Sequence, residues 1–232
     1  METLECIKTR RSIRTYDRKD VPTDLIEKIL EYGTMAPSAG NTQPWEFIVV
    51  KDRETKNKLF DASLKQEHVR DAPVLIIVCA DIEKAKQRYK ERGEKLYSIQ
   101  NTAACIQNIL LAAHDMGLGT CWVGAFEEKE VSAILEIPKR LRPVAIITLG
   151  FPLEYEKPRK IERIPYRNIT WVEKYGKTWE FKPRPLDIQV KDWQKRLSEL
   201  EKKLEKSKEQ PISEEKESFS EKFRRIIKNI TK

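Results

Sequence analysis

Three short segments concentrate residue types that bind or polarise a ligand. The first is RRSIR, with Arg10, Arg11, Ser12 and Arg14. Two adjacent guanidinium groups, a hydroxyl and a third guanidinium suit a phosphate, whose oxygens accept bidentate Arg hydrogen bonds and a short O–H donor. A solvated basic patch is the alternative for this cluster taken alone. The second segment, PSAGNTQPW from Pro37 to Trp45, includes Ser38 and Ala39, small residues that let a backbone approach a flat ligand. Asn41 and Gln43 add amides that match paired donors and acceptors on a heterocycle edge. Its other reading is an ordinary turn before a strand. In the third, GLGTCWVGAF, glycines 117, 119 and 124 bracket a short strand carrying Trp122, a geometry that brings main-chain N–H groups to a ligand face. Neither a GxGxxG order nor a GxxxxGK[ST] spacing is present, so nucleoside triphosphate chemistry has no support.

The surrounding pattern supplies elements to position these segments. Leu4 and Ile7 predict a helix over Thr3–Thr9 that delivers the arginines at its end. Leu25, Ile26, Ile29 and Leu30 predict a second over Thr23–Tyr32, with Thr23 as N-cap and Gly33 as stop. Residues 37–44 read as a loop opening onto a strand from Trp45 to Lys51. Asp52 caps a helix from Arg53 to about Ser63, and Pro73–Ala80 is a central strand, apolar on both faces. Leu96, Ile99, Ala103, Ile106, Leu110 and Ala113 predict one long, largely buried helix between Ala85 and Met116. Thr120–Val123 is strand-like, Glu127–Leu135 a short helix, and Pro143–Leu149 a further buried strand closed by Gly150.

After Trp179 the composition changes. KPRP at residues 182–185 reads as an extended linker, and Asp187–Lys232 contains no glycine. Trp193, Leu197, Leu200 and Leu204, then Phe219, Phe223, Ile226 and Ile230, predict two amphipathic helices that pack on their own domain or on a dimer mate. The chain is therefore expected as a domain over 1–181 and a charged helical extension over 182–232.

With 232 residues, 39% hydrophobic and 35% charged, the chain fits one large domain plus an appendage. Its net charge of +8 is interleaved with acidic residues rather than gathered in one-sign blocks, which argues against a dedicated nucleic-acid role. Cys6, Cys79, Cys105 and Cys121 form no CxxC pair and read as reduced core thiols. The longest apolar run, Val74–Ala80, is far short of the ~20 residues of a membrane span, and a cytoplasmic location is expected. No metal site is expected. Two histidines, His68 and His114, cannot furnish a Cys/His or Ser/His/Asp arrangement with an evident nucleophile; His68 reads as a solvent-exposed helix residue and His114 as structural.

These segments, in this order, resemble the nitroreductase family of flavoproteins from about Arg10 to Trp171. RRSIRTY looks like the opening motif, PSAGNTQPWEFIVV the second, LAAHDMGLGTCWVGAF the third, and GFPLE followed by PRK the fourth. The resemblance implies an α+β fold: a central mixed or antiparallel sheet of four or five strands flanked by helices, in an intertwined homodimer with the helix near Ala103 at its core. It implies FMN as cofactor and NAD(P)H as electron donor. Arg10, Arg11 and Ser12 would hold the phosphate and ribityl end, with Arg159 and Lys160 returning to it. Arg14 would lie near N1 and O2, where positive charge stabilises the reduced flavin. Pro37, Ser38, Ala39, Asn41 and Gln43 would come from the second subunit. The backbone of Gly124 and Ala125 would face N5 beside Trp122, and one of Lys65, Gln66 and His68 would contact the pyrimidine end. Residues 81–96, charged and poorly matched, would form a lid.

The implied reaction passes electrons from NAD(P)H through flavin N5 to an electron-poor small molecule, a nitroaromatic or quinone, by a ping-pong mechanism. The alternatives are a specialised relative (dehalogenase-like, enone-reducing or flavin-fragmenting) or an interaction protein using the C-terminal helices.

Overall fold

The run from Val74 to Ala80 has no polar residue on either face, and such a strand is stable only between two apolar layers. The protein, as a computed structural model describing residues 1–153 and 162–178 with Lys195, Ser198 and Glu199, builds those layers around it. The run lies in β2 (Val74–Asp81), flanked by β1 (Trp45–Val50) and β4 (Leu141–Gly150); β3 (Gly119–Val123) lies outside β4. All three pairings are antiparallel, and the order is β1-β2-β4-β3. The expected mixed or antiparallel sheet of four or five strands is thus a four-stranded antiparallel one among the described residues.

The period-two alternation of the strands divides the core. Val74, Ile76 and Val78 of β2, with Ala145, Ile147 and Leu149 of β4, pack against Ile26 and Ile29 of α2 (Thr23–Thr34) and Cys105, Ile106 and Ile109 of α6 (Ser98–Asp115). Leu75, Ile77, Cys79 and Ile146 face the other way, against Leu59 and Ala62 of α3 (Arg53–Ala62), Val69 of α4 (Glu67–Asp71) and Val131 of α7 (Glu128–Ile134). Asp52 caps α3 as expected, its Oδ2 accepting from the Thr55 N–H at 2.7 Å. All four cysteines are free and buried, as expected for core thiols.

Two helix expectations are corrected. Thr23 does not cap α2: the N–H groups of Leu25 and Ile26 both donate to the Pro22 carbonyl, so Pro22 is the flanking residue and Thr23 is already helical. Nor does Gly33 stop it, because α2 runs on to Thr34. Gly33 is buried where a Cβ would stand 2.7 Å from Ile109 Cγ1, so its lack of a side chain serves the packing of α2 on α6. The single helix expected over Ala85–Met116 is two, α5 (Ile82–Arg92) and α6, separated by a π-turn at Gly93–Tyr97. Lys90 has φ +52°, and the backbone at Gly93 packs on the Ala85 carbonyl too closely for any Cβ, so the chain bends where hydrophobic periodicity alone reads continuity. Residues 81–96, the stretch expected to form a lid, are thus largely helical.

The chain divides into two compact units, Met1–Arg159 and Lys160–Lys232. In the second, Tyr166–Ile169 is a single 3-10 turn, and Trp171 bridges to Thr178 with its ring edge-on to Tyr175 at 5.2 Å. Arg159, Lys160 and the helix pair expected after Asp187 lie outside the described residues, the three tail positions named above excepted.

Candidate functional site

The arginine segment follows α1 (Thr3–Thr9), and Arg10 is its C-cap, with its N–H donating to the Cys6 carbonyl. Beyond it the chain runs beside the outer edge of β3: Ser12 bridges Thr120 in parallel, and the Ile13 N–H donates to the Thr120 carbonyl at 2.9 Å. Gly119 permits this approach, since a Cβ there would stand 2.8 Å from Ile13 Cγ2. Tyr16 locks the segment from the other end, its hydroxyl donating to the Ile13 carbonyl at 2.5 Å and meeting Thr148 Oγ1 at 2.6 Å. Arg10, Arg11 and Arg14 enter no ion pair among the described residues. Three guanidinium groups without a carboxylate partner on one short segment have the chemistry to hold an anion. Their field is felt nearby. Burial lowers the pKa of His114 and Arg10 and Arg11 lower it further, while Arg14 pulls the burial-raised Cys121 thiol back down.

Along the same edge, β3 leads from Thr120 through the exposed ring of Trp122 to Gly124 and Ala125, both exposed, with open space where a Gly124 side chain would be. The expected first and third segments are thus brought together. Ala125 is held by Gln66, whose Nε2 donates to the Ala125 carbonyl at 2.9 Å and to the Ser63 carbonyl at 3.0 Å. The Glu127 N–H donates to the Ala62 carbonyl at 2.8 Å, fixing the far side of this turn.

His68, read from sequence as solvent-exposed, is instead buried, at 9% exposure, and its Nε2 has no hydrogen-bond partner among the described residues. The cause lies just upstream. Leu64 and Lys65 are successive non-glycine residues in the left-handed region, with φ of 54° and 55°, and this turn rolls α4 inward. His114 behaves as expected, bonding Thr9 Oγ1 at 2.9 Å and tying α1 to α6.

The second segment does not join the others in one chain. Ala39–Asn41 is a 3-10 turn just before β1, with positive φ at Gly40, Asn41 and Gln43. Ser38 Oγ accepts from the Gln43 N–H, while Asn101 of α6 accepts from the Ala39 N–H at 3.1 Å and donates toward Thr42. Arg88 and Tyr89 of α5 fill the space a Gly40 side chain would need. Pro37, Gly40, Asn41 and Gln43 are exposed, Ser38 and Ala39 half-buried. Trp45 registers with Ala80 and hence with Arg142, whereas Thr120 registers with Leu149. Four strand spacings of ~4.8 Å, the last from β3 to the arginine segment beside it, and seven residues at ~3.3 Å put the loop and the arginines at diagonal corners, about 19 Å apart across the sheet and about 23 Å along it.

Tyr16, Asn101 and the split roles of Gln66 and His68 escaped the sequence reading. Asn101 left a signal, as an amide within an otherwise apolar helix stripe, but Tyr16 left none.

The statistical description of the nitroreductase family matches residues 7–67 and 61–151. A Methanothermobacter thermautotrophicus protein provisionally named NADH dehydrogenase/NAD(P)H nitroreductase is 41% identical over 160 residues, 66% of this chain and 79% of that protein. An NADH dehydrogenase of Thermus thermophilus is 33% identical over 187 residues, 69% of this chain and 90% of its own. The crystal structure of a nitroreductase family protein from Streptococcus pneumoniae superposes with a TM-score of 0.67 at 29% identity, over 75% of this chain and all of that one. No helix of the described residues is long and apolar enough to cross a membrane. Expectations of an oxidoreductase using FMN, with NAD(P)H as donor, agree with these findings. With its helix-flanked antiparallel sheet and its arginine segment laid on β3, the chain belongs to the nitroreductase family.

Proposed function

We propose that the chain is a cytoplasmic, homodimeric FMN enzyme that passes electrons from NAD(P)H to a nitroaromatic or quinone by a ping-pong mechanism, with residues 1–181 as the catalytic domain. The observation that carries this reading is the juxtaposition along β3 of three uncompensated arginines and an open, backbone-lined turn at Gly124–Ala125. The residues present fit FMN. Arg10, Arg11 and Ser12 answer a phosphate, Arg14 a site that gains negative charge, and the buried, partnerless Nε2 of His68 a polar ring edge. FMN, when bound, supplies the hydride relay through N5. Around it, Arg14 would stabilise negative charge gained on reduction, the Gly124 and Ala125 backbone would orient the cofactor, and Trp122 would pack beside it. Arg159 and Lys160, which the family resemblance assigns to the phosphate end, lie outside the described residues.

The diagonal separation of the Pro37–Gln43 loop supports a site completed by a second copy, which brings its own Ser38, Ala39 and Asn41 to the first copy's arginines. Exposed Leu4, Ile7, Tyr32 and Met35, beside a groove of about 450 Å³ between α1, α2 and α6, and the half-exposed Ala103 and Ala104 of α6, provide the apolar surface that such a copy covers. Donor and acceptor then share one face in turn, which is the basis of ping-pong kinetics. The test is direct. Purified protein should be yellow, or become so with FMN, bleach with NADH or NADPH under anaerobic conditions, and recover colour with a nitroaromatic or quinone. Protein that stays colourless after incubation with FMN overturns the reading.

A further inference from the structure

The turn from Ser63 to His68 is built at a cost. Two successive non-glycine residues in the left-handed region are unfavourable, and such geometry persists where the surroundings demand it. What it achieves is specific: Gln66 reaches the Ala125 carbonyl, and the His68 imidazole turns inward with a buried nitrogen that nothing in the described chain satisfies. An unsatisfied buried polar atom is costly, so a partner is expected from outside the chain.

The charged groups acting on His68 are Arg14, from the segment beside β3, and Asp71, on its own helix; α3, packed on α4, contributes Lys56, whose Nζ donates to the Ala72 carbonyl. Burial, reinforced by Arg14, holds the imidazole pKa below its ordinary value, with Asp71 opposing, so it stands neutral near pH 7. That is the environment of a proton acceptor awaiting a negative charge.

We propose that His68 is the redox-coupled proton acceptor of the site: its Nε2 meets the pyrimidine end of the bound cofactor and takes up one solvent proton as two electrons enter. This rests on the flavin reading. The balance is complete: nicotinamide delivers two electrons and one proton as hydride, and the negative charge gained beside Arg14 is matched by a second proton, from water, on His68. A negative charge gained beside the imidazole favours its protonated form and raises its pKa, opposing the burial and the Arg14 charge that hold it down. Gln66 is the positioning residue of the same turn, holding Ala125 where its backbone faces the cofactor.

The test is the pH dependence of the midpoint potential of the FMN-loaded protein. For a two-electron couple, each proton taken up contributes about 30 mV per pH unit. The native protein should show about 60 mV per pH unit between the oxidised-state and reduced-state pKa values of His68, and His68→Gln about 30 mV per pH unit throughout. Histidine NMR on the native holoprotein gives a second measurement independent of the variant's folding. With only two histidines in the chain, the His68 signal should be neutral when oxidised and protonated when reduced at pH 7. Equal slopes in the two FMN-loaded proteins, or a His68 signal indifferent to reduction, overturn this proposal and leave the flavin reading intact. Failure of the native protein to bind FMN overturns both.

Discussion

Gly119→Ala isolates the contact on which the site depends. The new methyl would stand 2.8, 2.9 and 3.0 Å from Cγ2, Cβ and Cγ1 of Ile13, where carbon pairs prefer roughly 3.5–4.0 Å. Ile13 must retreat by about 0.7 Å. A β-branched side chain cannot do this by rotating, and its Cβ moves only with the backbone. The backbone is bonded to Thr120 at 2.9 Å, so the retreat stretches or breaks that hydrogen bond, worth about 1 kcal/mol, on top of the usual overpacking cost of about 1–3 kcal/mol. Displacing Arg10, Arg11, Ser12 and Arg14 also misplaces at least one charge-assisted contact, about 1.5–3 kcal/mol, or about a 10- to 100-fold rise in the FMN dissociation constant. Quenching of FMN fluorescence measures that constant, and urea unfolding measures stability separately. Adding Ile13→Ala removes the clash and should restore most of the affinity while losing some packing. FMN affinity unchanged in Gly119→Ala, or a loss that Ile13→Ala does not relieve, would show that this contact does not position the arginines.

Mixing Arg14→Ala with Asn41→Ala protein, each inactive alone, should restore part of the activity, because a mixed dimer holds one site free of both substitutions; no recovery after subunit exchange would sink the shared site. Burial pushes the Cys79 and Cys105 thiols up to about 12 and raises that of Cys121, so the native protein should resist alkylation at pH 8 while all four cysteines react in denaturant, as mass spectrometry would read. Arg142 grips Glu128 with bonds of 2.9 and 2.7 Å and holds its carboxyl below the ordinary value. The resulting stability is present above that ordinary value, about 4.3, and is lost as pH falls through the depressed one. Because the pair is half-exposed, Glu128→Gln should cost under ~1 kcal/mol at pH 7 in urea unfolding, with the gap to the native protein closing in acid. A constant gap from pH 7 to 3 would exclude the ion pair as its source.

Local chemistry made much of this protein readable from residues alone. Apolar runs announced β2 and β4 because burial on both faces favours apolar side chains, and Asp52 announced the start of α3 because a carboxylate satisfies free N–H groups. The arginine cluster, the small-residue loop and the glycine-bracketed strand were visible as ligand-binding chemistry without any fold. Where local signals were ambiguous they misled: Thr23 and Gly33 have the right types for helix ends, but neighbouring carbonyls and Ile109 settled otherwise. The apolar stripe over Ala85–Met116 gave no sign of the bend at Lys90–Tyr97, which the packing of Gly93 on Ala85 produces.

Pairings between distant segments belonged to the tertiary structure. Ser12 meets Thr120 only because β3 is an edge strand with a free side, and strand order follows from matching buried faces, not from spacing along the chain. The same order sets the Pro37–Gln43 loop across the sheet from the arginines. His68 is the sharpest case: a polar residue on a short, charged helix reads as solvated, and only the left-handed turn at Leu64–Lys65 drives it inside. Sequence thus determined which chemistry the chain carries, since side-chain type and local period are local quantities. The fold decided which of those groups share a site, because that depends on contacts more than a hundred residues apart, such as Tyr16 with Thr148.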